Sequence, residues 1–171
     1  ADPVIVLFKD KYYLFTTMDI GGYRVSDDLI TWKDVYFNPE IHASALDIDH
    51  YVAPAVAADD NYVYFINFTR DRSKKKVDVI RSADPENGKW EKCGEVRRMA
   101  DPCLFIDDER FYFYYGLGAE QSTTFFEVNP ETFEEIEGTK KVLREYITDV
   151  KECTSGYHFG RRELYDEIDA S

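Results

Sequence analysis

Cysteine is scarce in this sequence, basic residues are outnumbered, and long apolar runs are missing. Cys93, Cys103 and Cys153 are odd in number and have no CxxC spacing, so neither a disulfide framework nor a zinc site is indicated. Cys103 lies in an apolar stretch and reads as a small buried hydrophobe. Lys and Arg number 21 against 34 Asp and Glu, a formal charge of −13. Nucleic-acid binding needs clustered cations to meet phosphate, so that partner is not expected. The one basic run, Lys74-Lys75-Lys76, follows Asp71 and Arg72 and reads as a solvated hairpin tip. No stretch approaches the roughly 20 apolar residues that cross a bilayer, so no membrane partner is expected. No secretory leader is visible at Ala1, where the chain opens inside a motif and reads as the start of a piece. His42, His50 and His158 lack ligand spacing, and no cofactor is expected. A neutral carbohydrate is indifferent to the sign of the charge.

Aromatic residues are abundant. The 13 Tyr and 12 Phe gather in strand-like runs, and such side chains suit a pleated, half-buried surface, which favours an all-β fold. A chain of 171 residues is long enough for one ordinary domain.

Three stretches repeat one unit. Ala1-Asp2-Pro3 is followed after eight residues by Tyr12-Tyr13-Leu14-Phe15. Val52-Ala53-Pro54 is followed after seven by Tyr62-Val63-Tyr64-Phe65, and Ala100-Asp101-Pro102 after eight by the run Phe111 to Tyr115. A period near 50 residues marks propellers and arrays. Each unit reads as four short strands, the content of a propeller blade. In the third unit these are Cys103 to Ile106, Phe111 to Gly116, Thr123 to Val128 and Thr132 to Glu135. The blades are expected at about 1–50, 51–96 and 97–143, with 144–171 a loop leading toward a fourth. A turn or two of helix is possible over Arg162 to Ile168. Trp32 and Trp90 fall at matching positions and read as core, with Phe133 in the same place. Ala53 is informative as the odd copy: it shows that the scaffold accepts a methyl there, which points to chemistry at Asp2 and Asp101. Asp84-Pro85, at another phase of the repeat, reads as a structural turn.

Ala1-Asp2-Pro3 with Lys11 to Phe15, Ser26-Asp27-Asp28-Leu29 and Trp32 resembles the first blade of glycoside hydrolase family 43. Tyr51-Val52-Ala53-Pro54 is similar to that family's second-blade opening, and Asp101-Pro102 through Asp108 to its third. The resemblance implies a five-bladed β-propeller with about three blades present here. It also implies inverting hydrolysis of xylose- or arabinose-containing chains, with Asp2 as general base and Asp101 tuning the proton donor. Tyr51 is a candidate sugar-stacking residue. The family's general acid, a Glu in a Glu-Gly-Pro-like motif, has no counterpart in this sequence; Glu163 stands in the wrong context. Such a piece is expected to be inactive alone, its ring completed by blades from the same parent chain or another chain. Some relatives hold calcium in the central channel, and this sequence offers no place to put it. A polysaccharide-degrading enzyme of this kind is expected to be secreted or periplasmic. The alternatives are a non-catalytic carbohydrate-binding propeller and a retaining, invertase-like one, against which Ala1 counts because those relatives carry Asn before the Asp-Pro.

Overall fold

The computed structural model describes residues 2–17, 21–44, 52–68, 73–116 and 122–144. Tyr51, Glu163, His50, His158 and the possible helix at 162–168 lie outside them.

The described residues form three four-stranded antiparallel sheets, each a meander in chain order. The first holds β1 (Val4–Phe8), β2 (Lys11–Phe15), β3 (Gly22–Ser26) and β4 (Lys33–Tyr36), and a short helix, α1 (Pro39–Ser44), follows it. The second holds β5 (Val52–Ala58), β6 (Val63–Phe68), β7 (Lys76–Asp84) and β8 (Lys89–Arg97). The third holds β9 (Cys103–Asp107), β10 (Arg110–Tyr115), β11 (Thr123–Val128) and β12 (Lys141–Arg144). β1 packs beside β5 and β5 beside β9, so the three innermost strands share one axis. This is the blade arrangement of a five-bladed β-propeller, with three blades present.

Tight hairpins at the inner strands set the register. Lys9 and Asp10 (φ 48° and 62°) and Asp108 and Glu109 (φ 44° and 64°) are two-residue turns with positive φ throughout. Such turns match the right-handed twist of the strands they join. Leu7 pairs with Tyr12, Ala58 with Val63 and Ile106 with Phe111. Val63, rather than Tyr62, is therefore the counterpart of Tyr12 and Phe111, and the three units align without a gap.

Two aromatic-rich cores separate the blades. Between the first and second, Phe15 stacks on Tyr23 at 4.7 Å, and the Trp90 ring meets Tyr23, Phe37 and Phe65 at 5.6, 5.3 and 6.2 Å. The Tyr23 hydroxyl donates to the Pro85 carbonyl and accepts from Trp90 Nε1 at 2.8 Å, so this buried polar group is satisfied from both sides. The Asp84-Pro85 turn is structural, as its phase suggested: Asp84 accepts from Lys89 and Asn87. Between the second and third blades, Tyr64 meets Phe111 edge-on at 5.0 Å, and Phe133 lies 5.9 Å from each.

Several sequence expectations are corrected. Thr132 to Glu135 is not the outer strand of the third blade. Phe133 adopts φ 60° and drops into the core, where a side chain at Gly94 would come within 2.8 Å of its ring. The chain therefore bends inward, meeting β11 through the Val128–Glu135 bridge and the Thr139 hydroxyl, and the outer strand starts at Lys141. Trp90 is core, but Trp32 is half-buried on the blade surface, with its indole N–H donating to the Leu29 carbonyl. Cys103 is exposed, on the face of β9 that also shows Phe105. Ile5 and Leu7 are likewise exposed on β1, at the other end of the three-blade arc.

Tyr23→Phe should expose the value of the shared hydroxyl. It leaves the buried Trp90 N–H and the Pro85 carbonyl without this partner, at an expected cost of about 1–3 kcal/mol. A urea midpoint equal to that of the unaltered chain would refute this.

Candidate active site

The residues heading the three inner strands share an uncommon backbone conformation. Asp2, Ala53 and Asp101 have φ of 45°, 44° and 43°. Each precedes a proline, which by itself pushes the preceding residue toward extended geometry. Left-handed backbone costs an L-residue about 1–2 kcal/mol, and Asp offsets this better than Ala because its side chain can bond locally. Ala53 adopts it all the same, so the turn belongs to the blade design. Positive φ at three equivalent positions is thus a shared feature of the blades.

Asp2 and Asp101 are both exposed at these heads. The Asp101 carboxyl titrates above the ordinary carboxylate range because burial partly desolvates it and the negative charge of Asp2 adds to the effect. The structure thus brings these two sequence candidates into one electrostatic environment. Tyr51 lies outside the described residues.

A third residue, missed in the sequence, completes the arrangement. The Thr17 hydroxyl donates to Asp2 Oδ2 and accepts the Ala53 N–H at 3.0 Å. Continuing the β1–β2 ladder beyond Val4–Phe15 places Thr17 opposite Asp2. The signal was present: a two-residue turn at Lys9-Asp10 fixes that pairing, but the sequence left the turn length open. The same extension in the third blade places Gly116 opposite Asp101. Gly116 has φ 149°, and a Cβ there would lie 2.8 Å from the Ser122 carbonyl oxygen. Its N–H donates to the Ala100 carbonyl at 3.1 Å, closing the hairpin through backbone alone. The two carboxylates therefore have different neighbours on the same scaffold. In the second blade Asn67, one residue beyond the Ala55–Ile66 pair, is 3% exposed, and its Nδ2 has no partner among the described residues.

A cleft of about 180 Å³ lies elsewhere, lined by Trp32, Lys11, Asp27, Asp28 and Glu86 among others. Four of its charges are already engaged: Lys11 bridges Asp27 and Glu86, and Asp28 accepts the Ile30 and Thr31 N–H groups. Among the described residues, no three His, Cys, Asp or Glu side chains converge on a common point. No described helix is long and apolar enough to cross a membrane.

Asp2 and Asp101 thus pair two acidic side chains at the head of a β-propeller. The sequence matches Glycosyl hydrolases family 43 over residues 1–162, and the chain belongs to that family. It has no match among curated proteins. Among solved structures it is similar to a GH43_12 protein retrieved from a capybara gut metagenome (24% identity, TM-score 0.67), covering 88% of this chain and 32% of that one. Bacteroides ovatus xyloglucan PUL GH43B gives 21% identity and a TM-score of 0.65, over 86% and 31%. The α-L-arabinanase of Cellvibrio cellulosa, solved with arabinohexaose, gives 19% and 0.60, over 82% and 51%. The chain thus spans about a third to half the length of these proteins.

Two measurements test the geometry. Asp2→Asn removes the neighbouring charge, so the Asp101 carboxyl should titrate at lower pH by carbon-13 NMR; an unmoved midpoint would mean that the two do not sense each other. Because the folded state holds the Asp101 proton more tightly, its ionisation costs stability as pH rises through the folded pKa. Asp101→Asn should therefore stabilise the chain at pH 7 and lose that advantage below the ordinary carboxylate range. Separately, Ala53→Gly relieves left-handed strain and should raise stability by up to about 1 kcal/mol after the added chain entropy is subtracted. A loss of stability in denaturant titration would contradict it.

Proposed function

We propose that this chain is the base-bearing part of an inverting glycoside hydrolase acting on xylose- or arabinose-containing polysaccharide or oligosaccharide outside the cytoplasm. Asp2 is the general base that takes a proton from the attacking water. Asp101 orients the sugar and, by its charge, raises the pKa of the proton donor. The general acid is supplied from outside residues 1–171, on further blades that cover the faces carrying Ile5, Leu7 and Phe105.

The observation that carries this reading is the placement of two carboxylates on equivalent left-handed turns about one axis, close enough that Asp2 raises the pKa of Asp101. Inversion needs a base on one face of the sugar and an acid on the other, about 6.5–9.5 Å apart, with water between base and anomeric carbon. A third carboxyl near the acid opposes its ionisation and keeps it protonated near neutral pH. Family membership supports glycosidase chemistry. The substrate class is supported by similarity to the arabinanase and to a Bacteroides thetaiotaomicron endo-1,4-β-xylanase (20% identity, TM-score 0.60), although a β-1,3-galactosidase is also similar.

In the complete enzyme, Asp2→Asn should lower kcat on a nitrophenyl pentoside by about 10²–10⁴-fold, and Asp101→Asn should also cost turnover. Proton NMR of the first-formed sugar should show the inverted anomer. The isolated 171-residue chain should release no nitrophenol. No hydrolysis by the unaltered complete protein, with sugar binding intact in both variants, would favour a carbohydrate-binding propeller; turnover retained in both variants would overturn the roles given to Asp2 and Asp101, and a retained anomer would favour the invertase-like mechanism.

A further inference from the structure

We infer that Thr17 is the positioning residue for Asp2, and that the backbone of the second blade sets its aim through Ala53. This rests on the reading of Asp2 as the general base.

A hydroxyl has one proton to give. The Ala53 N–H can only donate, so the Thr17 oxygen must accept there, and its proton is left for Asp2 Oδ2. The rotor is therefore fixed from one side by the second blade and delivers its hydrogen bond to a carboxylate of the first. Asp2 is exposed, so the direction of its carboxylate depends on the hydrogen bonds it accepts. The charge-assisted bond from Thr17 orients the Asp2 carboxylate relative to the axis.

The odd copy of the repeat gains a purpose by this account. Ala53 has no carboxyl to contribute, yet it adopts the same strained turn as the two aspartates. That turn presents its N–H to Thr17. The strain at Ala53 supports a hydrogen bond across the blade boundary, whereas a merely tolerated methyl would leave it unexplained. The third blade confirms that the clamp is specific to Asp2: opposite Asp101 stands Gly116, where neighbouring backbone leaves no room for a side chain. One carboxylate is held by a hydroxyl, and the other is left to the field of its neighbour.

The test uses Thr17→Val, which keeps the shape and removes the hydroxyl, and Thr17→Ser, which keeps the hydroxyl and removes the methyl. In the complete enzyme, Thr17→Val should lower kcat by about 10–100-fold with KM within about twofold, the pattern of a misaimed catalytic group. Thr17→Ser should restore kcat to within about threefold of the unaltered enzyme, allowing for a looser rotor. In the 171-residue chain, the Ala53 amide should exchange with solvent at least about tenfold faster in Thr17→Val than in Thr17→Ser. Unchanged kcat in Thr17→Val, an equal loss in both variants, or Ala53 exchange indifferent to the hydroxyl would each overturn the inference. Absence of turnover in the unaltered complete enzyme would instead sink the glycosidase reading, and Ala53 exchange would still decide whether the clamp exists.

Discussion

Burial of aromatic sheet faces between successive blades is the constraint from which the rest of this structure follows. Each blade is a small antiparallel meander that has too little core to stand alone and hides its apolar side chains against its neighbour. Phe15 and Tyr23 from the first blade and Phe65 and Trp90 from the second form one packed cluster, tied by the hydrogen bonds of a single hydroxyl. Aromatic pairs of this kind contribute about 0.5–1.5 kcal/mol each beyond their buried area, and they prefer definite mutual angles. Packing of that sort sets how one blade sits on the next, and so where the heads of β1, β5 and β9 fall around the axis.

The site inherits that dependence. Its links cross blade boundaries: the Ala53 N–H of the second blade donates to Thr17, which follows β2 of the first, and Asp2 of the first raises the pKa of Asp101, which precedes β9 of the third. A change in blade packing would therefore move the site's members relative to one another. Repetition supplies the common turn, and the chemistry comes from departures from the repeat. Three heads with one backbone geometry carry Asp, Ala and Asp, and the residues that follow the second strands as Thr17 and Gly116 differ in whether they have a side chain to offer.

Much of the fold was legible in the sequence because its signals are local. Strand-length aromatic runs, a turn around Lys9-Asp10, and the recurring Pro-headed openings marked out three four-stranded units in order. The errors have local causes too. Tyr62 was aligned with Tyr12 because aromatic identity outweighed register, and only the ladder distinguishes them. Thr132 to Glu135 looked like a strand because Phe133 matched the tryptophans, when in fact the chain bends there to bury that ring. Trp32 shared a sequence position with Trp90 but not its packing, since only Trp90 faces the neighbouring blade. Cys103 sits in an apolar stretch whose alternate residues face opposite sides of β9, and its own side faces outward.

The sequence by itself determined the blade count, the all-β architecture and the identity of the two acidic heads, since repeats, propensity and short-range turns are written in neighbouring residues. Only the tertiary structure decided that these carboxylates share one environment, that Thr17 meets Asp2, and that the Ala53 backbone takes part. Those relations join residues 15 to 99 positions apart, and their distances are set by how sheet faces pack, which no local pattern encodes.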